Sequence, residues 1–145
     1  MSMTGLDAFD ATVHKTNSWL NAIMEQLDSD SRREAYHALR VVLHALRDRL
    51  TPEEAIHFGA QLPMLVRGFY YEGWSMSGKP MKATKEEFLR CVERESRYPD
   101  SADAERLARA VFQVIADHVT EGEIRDVKGL LPKGIRLLWP RSWWD

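Results

Sequence analysis

The chain has 145 residues, 44% of them hydrophobic and 29% charged, a mixture that builds a packed core and excludes a disordered or low-complexity polymer. Its net charge of −2 argues against a general polyanion binder, which needs a basic field. Lone Cys91 excludes an internal disulfide and points to a reducing compartment.

Val13, Thr16, Leu20, Ile23, Met24 and Leu27 recur at three- and four-residue steps and predict a first helix over about 13–27. Ser31-Arg32-Arg33-Glu34 has the form of a capping box, in which a hydroxyl accepts from the N–H three residues on and a carboxylate reaches back. It opens a second helix with Ala35, Leu39, Val42, Leu43, Leu46 and Leu50 on one stripe. Thr51-Pro52-Glu53-Glu54 opens a third, with proline at the first helical position where its missing N–H costs nothing. That helix must stop before Leu62-Pro63, because the residue before proline avoids helical geometry. Residues 64–74 then form a short fourth helix ending near Gly73. After a linker over 75–83, Thr84-Lys85-Glu86-Glu87 opens a fifth helix with Phe88, Leu89, Cys91 and Val92 inward. A sixth starts at Asp100-Ser101-Ala102-Asp103 and buries Ala108, Val111, Phe112, Ile115 and Val119. Thr120-Glu121-Gly122-Glu123 opens a seventh, which breaks at Leu131-Pro132, and an eighth covers 133–143 with Pro140 as its stop. No period-two alternation competes with this pattern, so the expected fold class is all-α.

Residues 13–74 lie over 82–143 without a gap. Eleven of the 62 positions are identical: Leu20/Leu89, Ala35/Ala104, Arg40/Arg109, Val42/Val111, Asp48/Asp117, Thr51/Thr120, Glu54/Glu123, Leu62/Leu131, Pro63/Pro132, Arg67/Arg136 and Trp74/Trp143. They fall on a helix cap, a proline break and apolar stripes. The expectation is a helical bundle forming a single domain over 1–145, made of two tandem four-helix repeats (about 13–74 and 84–143) related by a pseudo-twofold. A residue used twice in this way usually serves architecture, since one active site is seldom built twice.

Thr51-Pro52-Glu53-Glu54-Ala55, Ala60-Gln61-Leu62-Pro63 and Arg67-Gly68-Phe69-Tyr70-Tyr71-Glu72-Gly73-Trp74 together resemble the bacterial domain of unknown function 2267 family. The likeness continues through Thr120-Glu121-Gly122-Glu123-Ile124, Asp126-Val127 and Leu131-Pro132, and covers about residues 9–140. The resemblance implies a helical, cytoplasmic bacterial protein of unassigned activity, and it brings no catalytic residues to carry over.

Arg67, between apolar neighbours, could hold an anion through its planar fork. It could equally pair with Glu54 or plug helix-end carbonyls. Tyr70, Tyr71 and Trp74 each combine a large apolar body with one polar atom, which suits a binding surface. They could also serve packing between the repeats. Arg67, Tyr70, Tyr71, Trp74 and Glu54 are therefore the candidate ligand- or partner-binding residues.

His44 and Asp48 stand one turn apart, but two ligands do not make a zinc site, and no His-Glu-x-x-His pattern or cysteine pair occurs. There is no nucleophile elbow, no cysteine–histidine signature and no phosphate-cradling glycine loop, so no catalytic residue, metal or cofactor is expected. The acidic pairs Glu53/Glu54 and Glu86/Glu87 sit at helix starts, where the helix dipole accounts for them. Arg32, Arg33, Arg40, Arg47 and Arg49 make the second helix locally basic, but Glu34 and Asp48 blunt it, which argues against nucleic acid.

The start, MSMTGLDAFDATVHK, has no basic cluster followed by an apolar run, and no stretch is long and apolar enough to span a bilayer. A cytoplasmic location with no membrane is expected. The tail holds Trp143 and Trp144, placed to pack on the body or on another chain. Two functions follow: a non-catalytic protein-interaction module, possibly self-associating, or a binder of (or enzyme on) a small anion in a pocket at the repeat junction, lined by Arg67, Tyr71, Trp74 and Glu54.

Overall fold

A computed structural model describes residues 2–96, 101–129 and 131–140. Among these residues the regular structure is entirely helical: α1 Asp7–Leu27, α2 Arg32–Arg47, α3 Pro52–Gly59, α4 Met64–Tyr71, α5 Lys85–Ser96, α6 Ser101–His118, α7 Glu121–Gly129 and α8 Lys133–Arg136. The expected cap at Asp100 and the tail tryptophans Trp143 and Trp144 lie outside the described residues.

α1 begins well before the expected residue 13. Leu6 and Phe9 extend the apolar spacing of Val13 and Thr16 upstream, and Asp7 and Asp10 place carboxylates at the positive end of the helix dipole. The Asp10 carboxylate accepts hydrogen bonds from the Ser2 and Thr4 hydroxyls and the Thr4 N–H, which hold its pKa below the usual value. At the other end Asp28 takes the left-handed conformation, φ 52°, which aspartate tolerates better than most residues. The N–H groups of Asp28 and Ser29 return to the Glu25 and Met24 carbonyls.

The caps at Ser31, Thr51 and Thr84 form, the first and last with a change of detail, whereas Thr120 precedes α7 without a side-chain cap bond among the described residues. The Ser31 hydroxyl accepts from the Glu34 N–H, but the Glu34 carboxylate takes the Ser29 hydroxyl. The Thr84 hydroxyl accepts from the Glu87 N–H and donates to the Glu87 carboxylate, so that carboxylate does not reach the backbone. At Thr51 the box is complete in both directions.

Both proline-led helices are shorter than expected. α4 stops at Tyr71, because Glu72 is extended and Gly73 turns with φ 71°, a conformation that favours glycine. α8 is one turn long, and the chain continues past it through tight turns to Trp139.

α2 and α6 form the centre. α1 packs on α2 and α6, and α5 packs on α6 and α2. α4 rests on α1 and α2, α8 rests on α5, and α3 meets α4 and α7. Leu39, Val42, Leu43 and Leu46 of α2 close the core with Phe88 and Val92 of α5 and with Leu107, Val111, Phe112 and Ile115 of α6. Each such side chain contributes roughly 1.5–3 kcal/mol by leaving water. The Phe112 ring stacks on Trp139 at 4.3 Å and 8°. Cys91, expected inward, lies half-buried at the edge of this core. No helix among the described residues is long and apolar enough to cross a membrane.

Candidate functional site

The candidate residues gather around α4 and the corner that precedes it. Pro63 starts the helix, and the last carbonyls of α4 have no partner within it, as at any helix end. The last turn of α2 supplies them. Arg47, 4% exposed, donates from Nη1 to the Tyr70 carbonyl at 2.8 Å and to the Glu72 carbonyl at 2.9 Å. Its Nε meets the Asp48 carboxylate at 3.0 Å. His44 Nε2 lies 2.6 Å from the Phe69 carbonyl. Burial pushes the His44 imidazole below its ordinary pKa, so the neutral ring donates this bond.

Arg67 performs the same task for α3. Its Nε donates to the Gly59 carbonyl at 3.0 Å, and its Nη2 donates to Leu62 at 2.9 Å and to Ala60 at 3.4 Å. Glu54 is not its partner, since the Glu54 carboxylate accepts from the Thr51 N–H at 2.9 Å. Of the two structural roles open to Arg67, plugging helix-end carbonyls is the one observed.

The aromatic residues divide. Tyr70 is fully buried against Phe58 and donates its hydroxyl to the Ala55 carbonyl at 2.7 Å. Burial raises its pKa far beyond the usual phenol range, and the neighbouring Tyr71 adds to the shift. Tyr71 is half-exposed, tilts against Trp74 with 5.6 Å between ring centres, and sends its hydroxyl toward the Ile56 carbonyl at 3.4 Å. Burial raises its pKa as well. Its phenol lies over Gly59, where a Cβ would collide with the Tyr71 oxygen. Trp74 is half-buried, and its indole N–H has no acceptor among the described residues.

Two further features are formed by tertiary packing. The outward side of α4 carries Met64, Leu65 and Gly68, all exposed, with half-exposed Tyr71 one turn further on the Met64–Gly68 stripe. The Leu65 N–H donates to the Thr12 hydroxyl, which sets the start of α4 beside α1 one turn past exposed Phe9. The three-residue step from Leu6 to Phe9 was the available signal. The second feature is a cleft beside His37, Arg40 and His44, whose spacing of three and four residues marks one face of α2. Among the described residues no group of three or more histidine, cysteine, aspartate or glutamate side chains could hold a metal ion.

One family model matches most of this helical chain. The model, "Uncharacterized conserved protein (DUF2267)", matches residues 16–138, and the chain belongs to that family. A comparison with curated proteins finds no match.

Proposed function

We propose that the protein is a non-catalytic interaction module that associates with a second copy of itself through α4 and the adjoining start of α1. The carrying observation is the exposed, uncharged strip of Met64, Leu65 and Gly68 beside Leu6 and Phe9, with Phe9 50% and Leu65 44% exposed. Large apolar side chains gathered on a surface mark interaction sites. A twofold interface brings one patch against its own copy, and an uncharged apolar patch complements itself where a charged one would repel itself. In this reading Tyr71 and Trp74 make the rim of contact, while Tyr70, Arg67 and Glu54 hold the corner in place. The engagement of Arg67 with three carbonyls favours this reading over a small anion held at the same corner.

The same reading takes the chain as one domain of two tandem units, about 13–74 and 84–143, joined by 75–83. Its support is the matched packing: α1 on α2 as α5 on α6, α1 on α6 as α2 on α5, α4 on α1 as α8 on α5. A bacterial, cytoplasmic setting goes with a lone free cysteine and with the family likeness. Sedimentation velocity over a concentration series tests the function. Wild type should form dimers, and Phe9→Lys and Leu65→Lys should return it to monomer with unchanged melting temperature. A wild type that stays monomeric at every concentration would sink the proposal.

A further inference from the structure

A cleft of about 330 Å³ opens between α2, the linker at Met81 and α5, away from the α4 strip. Four arginines line it, Arg40, Arg47, Arg49 and Arg94, against two carboxylates, Asp48 and Glu95. Arg47 is committed to the end of α4 and to Asp48. Arg40 and Arg94 are held loosely, and Arg49 lies over the Phe88 ring. Arg40 reaches Glu72 through Nε at 3.4 Å, and Arg94 reaches Glu95 through Nε at 3.5 Å. Arg49 gives Nη1 to the Ala45 carbonyl at 3.3 Å, while its buried Nε has no partner among the described residues. Among those residues no hydrogen bond uses a terminal nitrogen of Arg40 or Arg94.

We propose that this cleft binds a small phosphate-bearing anion, of the size of pyrophosphate or a phosphate monoester. Cationic forks enter from two helices, and a third stands at the end of α2. A planar carboxylate offers its lone pairs in a single plane, whereas a phosphate offers oxygens in several directions at once, as forks arriving from different elements require. The volume suits a small molecule. Val41, Ala45 and Met81 give one apolar edge where an organic group can lie. No residue of the α4 strip lines this cleft, so the site and the self-association stand or fall separately.

Cys91 lines the same cleft and is the chain's lone cysteine, so a thiol reagent reports on this one place. The experiment is titration calorimetry of the full chain with sodium pyrophosphate at constant ionic strength, paired with the rate of Cys91 labelling. Arg40→Gln removes a half-buried side chain and Arg94→Gln an exposed one, and both should leave the melting temperature unchanged. Each should weaken binding by about tenfold, the loss expected for one hydrogen bond to a charged group. Arg125→Gln on α7 removes the same charge elsewhere and should bind as wild type. Pyrophosphate should slow Cys91 labelling in wild type and not in Arg40→Gln/Arg94→Gln. No binding to wild type, equal weakening by Arg125→Gln, or unprotected Cys91 would each overturn the proposal.

Discussion

The corner at Leu62-Pro63 and the corner at Leu131-Pro132 start from the same dipeptide and are held by different forces. In the first, α4 runs for two turns and its end is fastened by polar bonds from Arg47 and His44, while Arg67 folds back onto the end of α3. In the second, α8 is a single turn. The Leu137 carbonyl that follows it takes a hydrogen bond from Arg109, and Trp139 stacks on Phe112 where the first corner has Tyr70 bonded to Ala55. Leu65 and Gly134, each two places past its proline, differ in the same sense. Leu65 is exposed, whereas a Cβ on Gly134 would come within 2.8 Å of the Lys85 Cβ. The second corner is pressed against α5, and the first keeps an outer face open. The comparison teaches that a proline break sets where a corner lies, and the side chains that reach its loose carbonyls decide what the corner can present.

The largest effect should come from Trp139→Ala, which deletes a fully buried ring from the stack and should cost about 3–5 kcal/mol in chemical denaturation. A loss no greater than that of Tyr70→Phe would break the contrast between a stacked corner and a bonded one. Next comes Arg47→Met, which keeps the bulk but leaves the Tyr70 and Glu72 carbonyls without their donor. A cost of about 2–3 kcal/mol is expected, along with faster amide exchange at the end of α4 and little change around α8. Uniform exchange across both corners would show that Arg47 does not serve the first one selectively.

The smallest expected effect is the pH response of His44. Its folded pKa lies below the ordinary 6.5, because burial disfavours the imidazolium. Below pH 6.5 the unfolded chain therefore takes up more protons, and stability falls with pH until the folded imidazole also titrates. Above 6.5 the contribution is complete and flat. Melting temperature against pH should lose this acid slope in His44→Gln, and an unchanged slope would assign it to other groups.

Much of the helical order was legible. The Thr51-Pro52-Glu53-Glu54 start, the two Leu-Pro stops and the stripe through Leu39, Val42 and Leu46 are local signals, each set by residues within a turn or two of one another. α1 starts upstream of the predicted residue 13, at Asp7, in turns where Leu6 and Phe9 are exposed and no buried stripe marks the helix. α4 and α8 were read too long because aromatic and apolar residues past Tyr71 and Arg136 keep helical spacing without helical backbone. At the candidate corner, the sequence named Arg67, Glu54 and the aromatic residues. Arg67 and Glu54 have partners close by in the chain around α3, whereas the donors to the end of α4 came from α2, and no local pattern links Arg47 to the carbonyl of Tyr70.

Local spacing, caps and breaks thus determined the helices and where all but the first begin, since periodicity and orphan backbone groups act over a few residues. Which arginine plugs which helix end, which aromatic ring is covered, and which basic face is left lining a cleft were decided by tertiary packing. Those outcomes depend on residues far apart in the chain meeting in a low-dielectric interior, where an unpaired polar group is costly enough to dictate its neighbour.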